Sequence, residues 1–517
     1  MKQKVILSWW KKLFLCLVGL VTIISLHFGL VAPLTAQQVL KVGTEPAFPP
    51  FEMQAPNGKG FTGFDIDLFN AIGEEAGLEI DFQSMPFDGL IPALQTQNID
   101  AAISGMTITP ERAQTVDFTR PYFQSGLAIA VRKEDKGEIK NFEDLENKKI
   151  AVAIGTTGAG EAEKIPGAEV STFDNSALAL QELSNGRVDA VVNDAPVTLY
   201  AIKVGNLNNV EVVGELLTEE YYGIALPKDS PNLEKVNDAL DELLRTGRYR
   251  ELYQKWFAGE PPDLPLVAPA LEGEGAAFNW VKMFQTLLWG ALVTIMLTAF
   301  SVFFGIIGGT LLAIASISDF KPLGWLARIY VDFFRGTPLL VQLFMIYFGI
   351  PSLLQGIGLD VSFNRFAAAV LGLSLNSAAY LAEIIRGGIQ SIDTGQWEAS
   401  QSMGMSWLQT MRYVIFPQAF RRMLPPLGNE FITMIKDTSL VAIIGFEELF
   451  RQGQLMVATT YRAFEIYAAV ALIYLVLTFA ASRVFSWLEK RFDPVKRANK
   501  KDAKQATARK ESLVGTK

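Results

Sequence analysis

The sequence predicts a two-lobed α/β domain followed by an all-α transmembrane domain of about five helices. Two observations lead to this fold class. Residues from Val39 to about Asp263 carry charges throughout, and strand-like segments alternate there with helix-like segments, a pattern typical of soluble α/β proteins. From Phe278 onward, long uncharged stretches follow, of the ~20 apolar residues that one membrane-spanning helix requires.

Residues 1–38 are expected to form a signal peptide or an N-terminal membrane anchor. Lysines precede an uncharged run from Leu13 to Leu34, and a basic region followed by an apolar region directs export. In either case, the chain after Gln37 is expected to lie outside the cytoplasm. The only cysteine, Cys16, falls in this segment, so no intrachain disulfide can form.

Residues 39–259 are expected to form the two-lobed domain. In the first lobe we predict strands at Val39–Val42, Ile80–Phe82 and Asp100–Ser104, and helices at Asp65–Gly77 and Phe87–Gln97. In the second lobe we predict strands at Leu127–Val131, Lys149–Ile154 and Ala190–Asn193, and a helix at Ser176–Ser184. Two crossings, near Tyr122–Gly126 and Thr218–Tyr222, are expected to join the lobes and to act as a hinge around a ligand cleft.

Residues 260–277 begin with a proline-rich stretch, Glu260–Pro269, and are expected to form a stiff linker. The transmembrane domain is expected to occupy residues 278–492, with spans predicted at Met283–Ser318, Gly336–Leu359, Phe366–Ala382, Leu424–Gly445 and Ile466–Ser482. Five crossings that start outside end in the cytoplasm. Residues 493–517 are expected to form a basic cytoplasmic tail, and the clustered lysines and arginines near this end agree with that orientation.

Five motifs in residues 39–259 carry a resemblance to a known family. They are Glu45-Pro-Ala-Phe-Pro-Pro-Phe-Glu52, Gly63-Phe-Asp-Ile-Asp-Leu68, Phe87-Asp-Gly-Leu-Ile-Pro-Ala-Leu94, Met106-Thr-Ile-Thr-Pro-Glu-Arg112 and Val116-Asp-Phe-Thr-Arg-Pro-Tyr122. In this order they resemble the polar-amino-acid solute-binding proteins. The resemblance implies a type II periplasmic-binding-protein fold and a free L-amino acid as the ligand.

Arginine suits the ligand carboxylate because its planar guanidinium donates two parallel hydrogen bonds. Arg112 follows Thr109-Pro110, which predicts a helix start that places Arg112 in the first turn. The resemblance implies that Arg112 grips the carboxylate and that Asp194 binds the α-ammonium. It further implies backbone and hydroxyl contacts from Gly105, Thr107, Thr156 and Thr157.

The resemblance assigns the ligand side chain to Glu45, Phe48 and Phe87. The two aromatic rings are expected to sandwich it; the alternative is that they are ordinary core residues. A buried carboxylate needs a partner, so Glu45 favours arginine, lysine, histidine or glutamine over glutamate. The alternative is that Glu45 is solvated at the rim of the cleft.

The C-terminal half resembles the polar-amino-acid ABC permeases of the histidine/glutamine/arginine type. The motifs are Phe333-Phe-Arg-Gly-Thr-Pro-Leu-Leu-Val-Gln-Leu-Phe344, Asn376-Ser-Ala-Ala-Tyr-Leu-Ala-Glu-Ile-Ile-Arg386 and Gln396-Trp-Glu-Ala-Ser-Gln-Ser-Met-Gly404 with Val414-Ile-Phe-Pro417. The last matches the family's coupling loop at Glu398, Ala399, Gly404 and Pro417, with Ser400 and Phe416 as departures. The resemblance implies that this loop docks on an ABC ATPase subunit.

Three ionisable residues, Glu430, Lys436 and Asp437, lie within the predicted fourth span. Charged groups at membrane depth usually face a polar cavity, so these residues are candidates for the membrane pathway or for a structural ion pair. The sequence has no Gly-x-x-x-x-Gly-Lys-Ser/Thr motif. The chain is therefore expected to be no enzyme and to bind no cofactor itself, with ATP used by the partner subunit.

Together these features predict an inner-membrane, multi-pass subunit for amino-acid import, with a periplasmic or external binding domain. A homodimer formed through the permease domain is the simplest completion. The net charge of −8 gives no indication of nucleic-acid binding. The alternative is a ligand-gated ion channel of the glutamate-receptor type. The order of the domains and the missing Thr-Val-Gly-Tyr-Gly filter disfavour it, and no metal cluster or nucleophile–base set favours an enzyme on this fold.

Overall fold

The structure is a computed structural model, and it describes residues 39–492 except 136, 205–206, 214–216, 258, 270–277 and 360–362. The predicted export segment (residues 1–38), the second part of the predicted linker and the predicted basic tail (residues 493–517) lie outside the described residues.

The first lobe is built on a five-stranded sheet whose first three strands are parallel. Its spatial order is Glu79–Ser84, Val39–Thr44, Ala101–Ala102, Ala225–Pro227 and Val116–Phe118. The helices packed with it are Phe64–Ala76, Phe87–Gln95 and Pro110–Thr115. A smaller sheet follows the first strand and consists of Ala47–Phe48, Glu52–Gln54 and Phe61–Thr62.

The second lobe repeats this plan. Its five strands lie in the order Glu169–Phe173, Lys149–Ala153, Ala190–Asp194, Leu127–Arg132 and Val210–Val213. Its helices are Thr157–Ala162, Ser176–Ser184 and Ala195–Val204, with 3₁₀ turns at Lys133–Asp135 and Glu143–Leu145. The inner strands Leu127–Arg132 and Ala190–Asp194 are almost entirely buried and begin with apolar runs, as expected for a sheet covered by helices on both sides.

The two crossings between the lobes form a short antiparallel ribbon. Phe123–Ser125 pairs with Glu220–Tyr222, with Ser125 opposite Glu220, within the segments that the sequence predicted as the hinge. After the second crossing, the helices Leu233–Thr246 and Arg248–Trp256 return to the first lobe. Val236, Leu240 and Tyr249 are buried there in one core with Leu40 and Phe64.

In the described part of the chain, three helices are long and apolar enough to cross a membrane: Trp280–Ile317, Arg365–Gln390 and Ala463–Phe492. A fourth crossing is obtained if the pair Lys321–Gly336 and Leu339–Leu354, bent by 106°, is counted as one span. The sequence predicted one helix over Gly336–Leu359. The helix Leu339–Leu354 lies within that range and follows a break at Thr337–Pro338, because proline disfavours a helical conformation in the residue before it. The helix before the break, Lys321–Gly336, was not predicted.

The predicted fourth span, Leu424–Gly445, contains two elements rather than one. The helix Phe416–Asp437 ends there, and a 3₁₀ segment, Thr438–Ile444, follows it. A count of five crossings therefore requires both the bent pair and this charged helix. The remaining helices are Leu339–Phe344, Ile350–Gly356, Thr394–Ser402, Trp407–Thr410 and Leu449–Thr460, with π-helical turns at Met345–Gly349 and Met411–Ile415.

Candidate functional site

The nine residues that the sequence predicted for ligand binding line a single cleft between the lobes. Ala153 and Ser176, which the sequence analysis missed, line it as well. The cleft lies where inner strands of both sheets end, since Lys149–Ala153 and Ala190–Asp194 of the second lobe end at its wall and Val39–Thr44 of the first lobe ends directly before Glu45. Loops and helix starts therefore supply most of the side chains, as is usual at the carboxyl ends of parallel strands.

Arg112 is held in the cleft by its local sequence. The Thr109 hydroxyl accepts a hydrogen bond from the Arg112 backbone N–H, which caps the helix Pro110–Thr115. The buried guanidinium donates to the carbonyl of Thr107 at 2.7 Å and to the carbonyl of Gly155 in the other lobe at 2.9 Å. It also lies over the Phe87 ring, 5.2 Å from the ring centre. A guanidinium has five N–H donors, so donors remain for a ligand carboxylate.

Asp194 belongs to a pair of carboxylates at the hinge side of the cleft. It is buried and accepts a hydrogen bond from the Tyr222 hydroxyl. Burial, and then the neighbouring Glu220 carboxylate, raise the pKa of Asp194 to about 7. An ammonium group placed here would compensate the negative charge of this carboxylate pair.

Glu220 is a buried residue that sequence reasoning missed. Its carboxylate accepts hydrogen bonds from the hydroxyls of Thr107 at 2.8 Å and Thr157 at 3.0 Å. It therefore joins the two lobes, because Thr107 belongs to the first and Thr157 to the second. Its position in the predicted second crossing was the only sequence signal for it.

One of the two backbone polar groups of Gly105 is engaged within the protein. Its N–H donates to the Asp65 carboxylate at 2.9 Å, so its carbonyl is the backbone group left for a ligand. Its φ of 52° and the Phe48 ring, 2.5 Å from where a Cβ would lie, both require glycine. Thr156 is likewise engaged, because its hydroxyl caps the helix Thr157–Ala162 and donates to the Ala153 carbonyl.

Glu45 lies in a cluster of carboxylates. It is half-buried, and burial, followed by the charges of Asp88 and Asp174, raises the pKa of Glu45 to about 8. Asp88 comes from the first lobe and Asp174 from the second. The sequence analysis missed both, although Asp88 directly follows the predicted Phe87. We call Glu45, Asp88 and Asp174 the acidic cluster.

The two predicted aromatic residues lie between the cleft and the packed interior of the first lobe. Phe48 and Phe87 line the cleft. Phe48 is also part of the first-lobe core, with its ring centre 5.9 Å from that of Phe51. Phe87 packs against the neighbouring cluster that includes Leu90.

The predicted coupling loop forms two short helices joined by a turn. Glu398 and Ala399 lie in the helix Thr394–Ser402, and Gly404 has a φ of 78° in the turn that follows. Pro417 lies in the first turn of the next long helix. Around this turn a group of large apolar side chains is exposed: Met403, Trp407, Leu408 and Tyr413.

The three predicted pathway residues do not share one site. Glu430 and Asp437 line a cavity together with Arg335, Asn376 and the broken segment at Thr337–Pro338. Lys436 lines a different, mainly apolar cavity. The salt bridges of the described residues do not pair Lys436 with Glu430 or Asp437.

Both halves of the chain match known protein families. Residues 40–259 match the family of bacterial extracellular solute-binding proteins, family 3. Residues 301–494 match the binding-protein-dependent transport system inner membrane component.

Individual relatives match each half in turn. The glutamine transport system permease protein GlnP of Escherichia coli K12 is 41% identical over 221 residues, which are 41% of this chain and 97% of GlnP. The probable amino-acid permease protein YxeN of Bacillus subtilis 168 is 40% identical over 213 residues, covering 41% of this chain and 92% of YxeN. Among solved structures, an ancestral arginine-binding protein bound to arginine is 48% identical, with a TM-score of 0.41, covering 43% of this chain and 99% of that protein.

The two matches lie one after the other along the chain and correspond to the two-lobed domain and the helical domain. The chain belongs to the amino-acid ABC transporter family, as a solute-binding domain fused to an inner-membrane permease domain.

Proposed function

We propose that this chain imports basic amino acids, glutamine or both, and that the external cleft selects them through the acidic cluster. Glu45 lines the cleft and the charges of Asp88 and Asp174 act on it, so this end of the cleft favours a positive charge or hydrogen-bond donors from the ligand. A basic side chain supplies the charge, and the glutamine amide supplies two donors. Glutamate would add a further negative charge and is disfavoured. The acidic cluster is the observation that carries the proposal.

In this proposal, Arg112 binds the ligand carboxylate, and Asp194 binds the α-ammonium with Glu220 behind it. Closure of the hinge brings Thr156 and Thr157 of the second lobe against the same ligand. The name of the relative GlnP, a glutamine transport permease, supports glutamine as one of the substrates.

Transport is driven by a separate ABC ATPase that docks on the loop containing Glu398, Ala399, Gly404 and Pro417. The exposed apolar group at Met403, Trp407, Leu408 and Tyr413 suits a protein partner, because large apolar patches mark interaction sites. Two copies of the chain form one transporter through the permease domains, with the loop in the cytoplasm and the two-lobed domain outside. Glu430 and Asp437 face the substrate in the membrane.

Calorimetric titration of the full chain in lipid nanodiscs tests the ligand assignment. Arginine, lysine, histidine and glutamine are compared with glutamate. We expect binding of at least one basic amino acid or glutamine, and none of glutamate at the same concentrations. Binding of glutamate alone would remove the specificity argument. Failure to bind any amino acid would remove the ligand class.

A further inference from the structure

The helix Leu449–Thr460 of the permease domain contacts the binding domain beside the cleft; we call it the docking helix. Its Ala458 lies against Gly155 of the second lobe, where a Cβ on Gly155 would lie 3.4 Å from the Ala458 Cβ. The same point is 3.6 Å from the Cβ of Asp88 in the first lobe. Tyr461, just after the helix, packs against the first-lobe cluster that contains Leu90. The docking helix therefore contacts both lobes where Arg112 closes them through Gly155.

Arg451 projects from the docking helix into the binding domain and is completely buried. Its guanidinium donates to the Asp174 carboxylate at 2.6 Å and to the Thr172 carbonyl at 2.8 Å. Its Nε–H is buried and has no hydrogen-bond partner among the described residues. A buried cation with an unused donor is costly unless nearby charge compensates it.

The compensating charge comes from the acidic cluster. Arg451 interacts electrostatically with Asp88, and it pairs directly with Asp174. These are the two carboxylates whose charges act on Glu45. Arg451 therefore neutralises the same carboxylates that, in the proposed function, attract the ligand side chain.

Two other arginines at the domain interface do not contact the acidic cluster. Arg187 of the binding domain stacks on Tyr347, 4.1 Å from the ring centre, and pairs with Glu182. Arg365 of the permease domain donates to the Ser171 hydroxyl and to the Gly445 carbonyl. The contacts of Arg187 with Tyr347 and of Arg365 with Ser171 join the second lobe to the permease, whereas Arg451 alone of the three contacts a member of the acidic cluster.

We propose that Arg451 is a release residue, which weakens the hold of the docked binding domain on a cationic ligand side chain by competing for Asp88 and Asp174. The inference rests on the proposed function. Like charges repel, so the positive end of arginine or lysine loses binding free energy when Arg451 is in place. A neutral glutamine side chain carries no such penalty. Docking then loosens basic amino acids at the point where they must leave the cleft.

The test measures the affinities of the full chain in nanodiscs for arginine and for glutamine. We expect Arg451→Gln to bind arginine about 10-fold more tightly, with glutamine changed far less. Arg451→Lys keeps the charge and should restore the wild-type ratio of the two affinities. Arg365→Gln removes one interface cation outside the acidic cluster and should leave the ratio unchanged.

A transport measurement with the ATPase in proteoliposomes gives a second readout. At saturating ligand, Arg451→Gln should slow arginine import and leave glutamine import close to wild type, since only the cationic ligand is held longer. Equal changes for both amino acids would show that Arg451 is a docking contact only and would overturn the inference. An unchanged affinity ratio in Arg451→Gln would do the same while leaving the proposed function intact. Failure of the wild-type chain to bind either amino acid would overturn both.

Discussion

Arg112 of the first lobe donates a hydrogen bond of 2.9 Å to the carbonyl oxygen of Gly155 in the second lobe. The residue proposed to bind the ligand carboxylate is thus also a contact that closes the cleft. Ala458 of the permease lies against the same glycine. The proposed carboxylate-binding residue, a contact between the lobes and a contact with the permease therefore meet at Gly155.

Removing the Arg112 guanidinium should abolish tight binding of every amino acid ligand. We expect Arg112→Ala to weaken binding at least about 100-fold, or roughly 3 kcal/mol, because the ligand carboxylate is left without its charged partner. Arg112→Lys should bind more weakly than wild type but better than Arg112→Ala, since lysine keeps the charge and loses the bidentate geometry. Titration calorimetry on the full chain measures both variants. An affinity of Arg112→Ala within a factor of about three of wild type would contradict this assignment.

Replacing Glu45 should change the choice of ligand rather than binding as such. We expect Glu45→Gln to weaken arginine and lysine binding about 10- to 100-fold, because one of the three negative charges is lost. Glutamine binding should change much less. Asp81→Asn is the matched control, since Asp81 is exposed and does not line the cleft. Equal losses for arginine and glutamine would show that Glu45 acts through the shape of the cleft.

The raised pKa of Glu45 predicts a charge-selective dependence of binding on pH. Without ligand, Glu45 keeps its proton at pH values below its pKa of about 8. Burial and the charges of Asp88 and Asp174 raise this pKa, whereas the hydrogen bond from the Phe87 N–H lowers it. Arg451 pairs with Asp174. A cationic side chain favours the ionised form, so binding expels this proton. The affinity for arginine should then rise by up to about 10-fold per pH unit towards pH 8 and level off above it.

Asp194 titrates as well, with a pKa of about 7, but it faces the ammonium group that all ligands share. The ratio of the arginine and glutamine affinities removes this common contribution, so the ratio should report Glu45. We expect the ratio to increase between pH 6 and pH 8 in the wild-type chain and to be flat in Glu45→Gln. A ratio that rises equally in both proteins would assign the effect to another group.

Much of the cleft could be predicted from the sequence because its residues lie in short motifs with fixed local structure. Thr109-Pro110 sets a helix start, and this places Arg112 in the first turn. Asp174 and Glu220 escaped prediction for a different reason. Asp174 follows a strand of the second lobe and pairs with Arg451 of the permease, while Glu220 lies in the hinge and accepts hydrogen bonds from both lobes, so the partners of each are distant in the sequence.

The bend in the membrane domain could not be predicted from the sequence pattern either. A hydropathy pattern gives the length of an apolar segment but not the direction of its helix axis. It therefore does not indicate the 106° bend between Lys321–Gly336 and Leu339–Leu354. Pro338 was the available signal. The contact between Arg451 and Asp174 joins positions 277 residues apart, and no local pattern can indicate such a pair.

Gly404 should be required for coupling to the ATPase but not for ligand capture. Its φ of 78° is unfavourable for residues with a Cβ, and an added Cβ would meet nothing within 4 Å. The backbone strain in Gly404→Ala is therefore about 1 kcal/mol, and it falls on the turn that presents the loop. We expect reduced ligand-stimulated ATPase activity with unchanged amino-acid affinity. Gly387→Ala, at an exposed helical glycine with equal space around it, should behave as wild type.

Glu430 and Lys436 lie six positions apart in one helix but line different cavities, so their substitutions should have different effects. We expect Glu430→Gln to lower arginine import about 10-fold and glutamine import less, because a carboxylate in a polar membrane cavity stabilises a passing cation. Affinity for the external cleft should not change, since Glu430 lies in the permease domain. Lys436→Gln is the control and should import arginine near the wild-type rate. Uptake of radiolabelled arginine and glutamine into proteoliposomes measures both variants, and equal losses of the two substrates in Glu430→Gln would make Glu430 a structural residue.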